Sequence, residues 1–154
     1  MKKELQDKLF KKYPKIFRQK DLPSTETCMC WGITCGDGWY DIIDALCASI
    51  KNHIEWVNEH KRLHSLAQPK RLIPTKTNKT ICEAAQVKEK FGGLRFYIDG
   101  GNKYIEGLIA MSEAISYKTC EYCGFPGKPL TNKWIRTTCE NCKTTINKIN
   151  QNKK

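Results

Sequence analysis

The chain has 154 residues, 40% of them apolar, with 27 Lys and Arg against 16 Asp and Glu for a net charge of +11. That length fits one domain, or one domain with a small appendage, burying about two thirds of the surface of the unfolded chain. No apolar run approaches the roughly 18 residues of a membrane span. The basic N-terminus MKKELQDKLFKKYPKIF lacks the continuous apolar stretch of a secretory signal, so the cytoplasm is the expected compartment.

Residues 1–20 hold eight bases and two acids. Leu5, Leu9, Phe10, Tyr13, Ile16 and Phe17 fall at helical spacing, with Pro14 forcing a kink or break. Residues 21–36 are irregular and cysteine-rich. A long helix is predicted over 37–65, where Trp39, Ile42, Ile43, Leu46, Ile50, Ile54 and Val57 form an apolar stripe. Asp37 is the expected N-cap, and Asp41 and Asp44 suit the early turns. Residues 67–80, with Pro69 and Pro74, read as an exposed linker. The period then changes from helical to two. Val87, Glu89 and Phe91 alternate with Lys88 and Lys90, and Leu94, Phe96 and Ile98 alternate with Arg95 and Tyr97. Gly92-Gly93 between the runs signals a hairpin, with Phe91, Leu94 and Phe96 expected in the core. A third helix follows over about 102–117.

Residues 120–142 carry Cys120, Cys123, Cys139 and Cys142 as two C-x-x-C pairs fifteen residues apart. Each pair lets a tight turn present two thiolates, and two such turns complete the tetrahedron that zinc takes. Four protein ligands leave no open position, so the expected Zn2+ is structural, one per chain, and supplies folding energy to a segment with few large apolar residues. Nine cysteines in all cannot pair completely within one chain, which favours metal over disulfides in a cytosolic setting. In CMCWGITC, Cys28, Cys30 and Cys35, completed by Cys47 or a histidine, offer a second candidate site of irregular spacing. His60 and His64 lie one helical turn apart but lack the acid of an H-E-x-x-H arrangement.

Signatures of catalysis are missing: there is no G-x-S-x-G, P-loop or Rossmann fingerprint. Capping accounts for Asp37, Asp41 and Asp44, so neither an enzyme nor a small-molecule substrate is expected. Charge is uneven instead. Residues 21–50 hold five acids and no base, 61–80 hold six bases and no acid, and 128–154 hold seven bases and one acid. Lys11, Lys12, Lys15, Lys70, Arg71, Lys133 and Arg136 are candidates for one basic surface meeting a polyanion, or they are ordinary solvated charge. Arg95 and Tyr97 would share a sheet face with Lys88 and Lys90, a face able to stack on and neutralise a nucleic-acid strand. KFGGLRFY fails the RNP pattern of an RRM, because Phe91 stands where glycine is needed and Gly92 where an aromatic is needed.

These readings give an α+β fold: a long helix packed on a small antiparallel sheet, with a C-terminal four-cysteine zinc ribbon. The expected organisation is a basic N-terminal helix at 1–20, a core at 21–117, the ribbon at 118–145 and a basic, lysine-rich tail at 146–154.

CGDGWYDIIDALC, VKEKFGGLRFYID and CEYCGFPGKPLTNKWIRTTCENC, in this order over residues 28–142, resemble a family of small proteins encoded by bacteriophages and prophages that carry a C-terminal four-cysteine zinc ribbon. The resemblance implies a role in the cytoplasm of an infected bacterium and supports the same four cysteines as zinc ligands. It leaves two functions open. One is a nucleic-acid-binding accessory protein; the other is a protein-binding inhibitor of a host bacterial enzyme or immune system, an anti-defence role such as anti-CRISPR.

Overall fold

Pro14 decides where the first helix stops. In a computed structural model, which describes residues 1–67, 80–130 and 135–151, α1 (Lys3–Lys12) ends two residues before it. This is the restriction a proline imposes on the residue preceding it. Leu9 from α1 and Tyr13, Ile16 and Phe17 beyond it are buried in the same cluster as the residues of the later elements. The segment set apart by its charge is thus a wall of the core, with its bases on the outer side. Ile16 O accepts a hydrogen bond of 2.7 Å from Ala84 N, and the rings of Phe17 and Phe96 meet edge-on at 6.3 Å.

The long helix is present as a single 3-10 turn, Asp37–Trp39, running into α2 (Tyr40–Ala67). Trp39, Ile43, Leu46, Cys47 and Ile50 bury its inner stripe. Asp37 is not its cap. The Asp37 carboxylate accepts instead from Lys2 N at 2.7 Å, because α1 lies across the start of α2. Asp44 accepts from Lys12 Nζ at 2.8 Å and from the Tyr13 hydroxyl at 2.9 Å, binding α1 and α2 together.

The hairpin comprises β2 (Cys82–Lys90) and β3 (Gly93–Gly100), with Val87 opposite Phe96 and Lys88 opposite Arg95. Its turn is Phe91-Gly92, not Gly92-Gly93. Both turn residues have positive φ, 53° and 78°, which is the type I′ geometry matching strand twist. Val87, Leu94 and Phe96 face the core as the alternation requires, but Phe91 sits on the turn and is 65% exposed. A two-residue strand, β1 (Ile33–Thr34), adds to β2 in parallel, so the sheet is mixed and not purely antiparallel.

Helix α3 (Lys103–Ser116) is capped by Asn102, whose side chain accepts from Ile105 N at 3.1 Å. It seals the free edge of β3. Ser116 Oγ accepts from Leu94 N at 2.8 Å, and Glu113 Oε1 accepts from Phe96 N at 3.2 Å, so the edge offers fewer open groups to another chain. The C-terminal unit follows: a hairpin of β4 (Lys128–Leu130) and β5 (Arg136–Thr138), then α4 (Glu140–Gln151). The stretch from 146 expected as a lysine-rich tail is therefore helical as far as Gln151. Among the described residues, no helix is long and apolar enough to cross a membrane.

Candidate metal centre

The two C-x-x-C segments form two turns that face each other across the β4–β5 hairpin. In the first, Gly124 N donates to Cys120 O at 3.0 Å and Cys120 N donates to Phe125 O at 2.7 Å. Gly124 has φ of 78°, a conformation that glycine adopts without strain. In the second, Lys143 N donates to Cys139 O at 3.0 Å and Cys142 N to Cys139 Sγ at 3.5 Å, as the chain enters α4. The four sulfurs all lie within 4.8 Å of one another, and those of Cys123 and Cys139 are 3.6 Å apart. A tetrahedron with metal–sulfur bonds of about 2.3 Å has sulfur–sulfur edges of about 3.8 Å, so the cage fits a metal ion.

The local fields differ among the four. The Cys142 N–H directed at its sulfur brings the Cys139 thiol down to about 7, favouring the thiolate that a metal needs. Local desolvation and the neighbouring sulfurs push the Cys123 and Cys142 thiols up. Cys120 is fully buried and Cys123 is at the surface. Four cysteine ligands would close the coordination sphere, so the arrangement suits holding a fold together and does not present a metal to a substrate.

This unit is built into the rest of the protein. Gly38 N donates to Glu121 O at 2.8 Å, and Gly36 N donates to the Glu121 carboxylate at 3.0 Å. Trp39 Nε1 donates to Thr119 O at 2.9 Å. A Cβ on Gly38 would lie 2.3 Å from Cys120 O, and one on Gly36 would lie 2.2 Å from Glu121 O. The glycines of CGDGW are thus required by the approach of the first cysteine turn to the start of α2. On the other side, Thr137 Oγ1 donates to Gly92 O at 2.6 Å, joining β5 to the tip of the β2–β3 hairpin. The one hint in sequence was two glycines flanking Asp37 just before a helix.

Among the described residues, no other set of three or more histidine, cysteine or acidic side chains converges as metal ligands do. Cys28, Cys30, Cys35 and Cys47 do not converge as a set of ligands among the described residues. The Cys30 thiol donates to Thr27 O at 3.2 Å, and burial pushes the Cys35 thiol up to about 12. His60 Nδ1 is hydrogen-bonded to Trp56 O at 2.8 Å; the side chain of His64 lies outside the described residues.

The expected basic residues have different fates. Lys11 and Lys15 are exposed. Lys12 is held by both oxygens of Asp44 at 2.8 Å. The Arg95 side chain is 22% exposed and lies 3.7 Å from Glu113. It also donates to the Tyr117 hydroxyl at 2.7 Å. Arg136 donates to the Tyr122 hydroxyl at 2.5 Å. Lys70, Arg71 and Lys133 lie outside the described residues. The hairpin does bring bases and rings together. Lys88 Nζ stands 5.6 Å above the Tyr97 ring and Lys90 Nζ stands 5.4 Å from the Phe91 ring. This face leads onto the metal unit, since a Cβ on Gly92 would touch Ile135 Cγ2 at 2.9 Å and lie 3.5 Å from the Arg136 backbone.

No known protein family, curated protein or solved structure matches the chain.

Proposed function

We propose that this is a non-enzymatic nucleic-acid-binding accessory protein, stapled by one structural zinc ion, whose contact surface is the outer face and tip of the β2–β3 hairpin. Zinc is the metal of choice for an all-cysteine tetrahedral cage with no redox or open-site demand. The observation that carries the binding role is the pairing of Lys88 with Tyr97 on the strands and of Lys90 with Phe91 at the turn, at 5.6 and 5.4 Å. Lysine neutralises phosphate while the adjacent ring offers a stacking platform, the combination that single strands use without sequence readout. Arg136 and Tyr122 extend the same chemistry onto the zinc unit. On the resemblance of its three sequence blocks, the protein meets its nucleic acid in the cytoplasm of an infected bacterium.

The test is binding of the zinc-loaded protein to a fluorescent single-stranded oligonucleotide over a salt series. Affinity should fall steeply with salt and vary little with base sequence. No binding even at low salt, together with a nuclease-resistant stoichiometric complex with one bacterial protein, would favour the anti-defence reading instead.

A further inference from the structure

Thr137 ties the four-cysteine cage to the tip of the β2–β3 hairpin. The residue is fully buried, and its two oxygens serve the two units. Its carbonyl accepts from Glu121 N at 2.9 Å, next to the ligand candidate Cys120. Its hydroxyl donates to Gly92 O at 2.6 Å, and Cys139 follows two residues on. The turn it grips is Phe91-Gly92, where both residues have positive φ. A bulky L-residue such as Phe91 adopts that conformation only at a cost, so the turn depends on what holds it. Glu89 Oε1 accepts from Gly92 N at 2.7 Å from within the hairpin, and Thr137 supplies the bond on the carbonyl side. The same turn carries the Phe91 ring beside Lys90.

The cage itself is open to solvent at one corner. Cys120 is buried and Cys139 and Cys142 are half-buried, but Cys123 is exposed. Cys123 Sγ lies 3.6 Å from Cys139 Sγ, and the two come from opposite cysteine turns. An oxidant arriving from water therefore meets Cys123 first, with a second sulfur within reach.

We propose that oxidation of Cys123 and Cys139 by a peroxide regulates the hairpin's contact surface, by emptying the cage and releasing the Thr137 grip on the Phe91-Gly92 turn. This rests on the nucleic-acid reading of the hairpin. The Cys123 thiolate attacks one peroxide oxygen, breaks the O–O bond and expels hydroxide, becoming a sulfenic acid. The Cys139 thiolate then attacks that sulfur, expels a second hydroxide and forms the disulfide. The two thiolates give up two electrons and the peroxide takes them; zinc, which has no redox chemistry, takes part in neither transfer. It loses two of its four anionic ligands and leaves. β5 then loses the cage that orders it, and the strained turn relaxes.

Hydrogen peroxide added to the reduced, zinc-loaded full chain should release the zinc to a chromogenic indicator and leave a Cys123–Cys139 disulfide in peptide mass maps. Hydrogen exchange at 90–94 should rise while 43–50 of α2 stay protected. Affinity for a single-stranded oligonucleotide should fall about tenfold, because Phe91 and Lys90 must then be ordered on binding. Dithiothreitol with added zinc should reverse all of these. Thr137→Val keeps the four cysteines and removes the link: the reduced variant should hold its zinc yet already exchange faster at 90–94. Unchanged exchange at 90–94 after zinc release from the parent, a disulfide that leaves out Cys123, or peroxide that releases no zinc would each overturn the proposal. A reduced, zinc-loaded chain that binds no oligonucleotide would instead refute the nucleic-acid reading. The exchange measurement needs no oligonucleotide, so it still decides whether the cage governs the turn.

Discussion

Gly38 N donates to the carbonyl of Glu121 across 2.8 Å, so the turn that opens the long helix is bonded to the turn that holds the first two candidate metal ligands. With Gly36 on the Glu121 carboxylate and Trp39 on Thr119 O, the contact makes the start of α2 dependent on the metal unit. Chelating the metal, or replacing Cys139 with serine, should release amide protection over 118–130, over 135–142 and over 36–40 together, while residues 43–55 of α2 remain protected by their own packing. Hydrogen exchange read by mass spectrometry checks this. Protection unchanged at 36–40 after complete metal removal would show that the contact does not couple the two.

The closeness of that contact leads to a second expectation. A methyl group on Gly38 would stand 2.3 Å from Cys120 O and 2.4 Å from Gly124 N, and backbone on both sides leaves it nowhere to go. Gly38→Ala should cost about 2–4 kcal/mol, in the range reserved for steric and backbone-strain mechanisms, and should weaken metal retention alongside. Urea titration with a parallel metal assay measures both. A Gly38→Ala protein of parental stability would mean the two turns separate easily.

Much of this architecture could be read from residues alone. The stripe Trp39–Ile43–Leu46–Ile50, the alternation around Val87 and Phe96, and the two C-x-x-C turns each carry a period or spacing that one kind of local structure explains. What escaped has no such local mark. Strand β1 is two residues long, too short to show a period. Phe91 continues the alternation of β2 in sequence, yet the type I′ turn takes it out of the strand. Lys12 and Arg95 count as free cations in a linear reading, but their acids come from elements far along the chain, Asp44 being 32 residues away and Glu113 lying on α3. The cysteines of CMCWGITC share a composition with metal sites, but among the described residues they do not converge as ligands.

Phe91 and Phe96 sit on one hairpin and should respond in opposite ways. Phe96 is buried in the core, and Phe96→Ala should cost about 3–5 kcal/mol. Phe91 is exposed with φ of 53°, a conformation that costs a bulky L-residue about 1–2 kcal/mol and that asparagine tolerates well before glycine in this turn. Phe91→Asn should leave stability equal or raise it by up to about 1 kcal/mol, while weakening binding to a single-stranded oligonucleotide by the loss of a stacking ring, about 1–3 kcal/mol. Thermal melts beside anisotropy titrations separate the two effects. A Phe91→Asn protein that is less stable and binds as before would assign the ring a structural role.

The lysines divide in the same way, and here the nucleic-acid reading is most exposed to failure. Lys88 and Lys90 stand beside exposed rings on the hairpin face. The Lys12 ammonium is already held by both oxygens of Asp44 at 2.8 Å and has little to give a phosphate without breaking that pair. Reversing Lys88 and Lys90 to glutamate should weaken binding strongly and lower the salt slope by about 1.4, since each phosphate contact on a single strand contributes about 0.7. Lys12→Ala should leave both affinity and slope nearly unchanged, at a small stability cost from the lost tie between α1 and α2. Lys11→Glu with Lys15→Glu tests whether the exposed N-terminal bases share the footprint. An unchanged slope in the Lys88–Lys90 variant, with a lowered slope in the Lys11–Lys15 variant, would move the contact surface to the α1 side and remove the stacking rings from the mechanism.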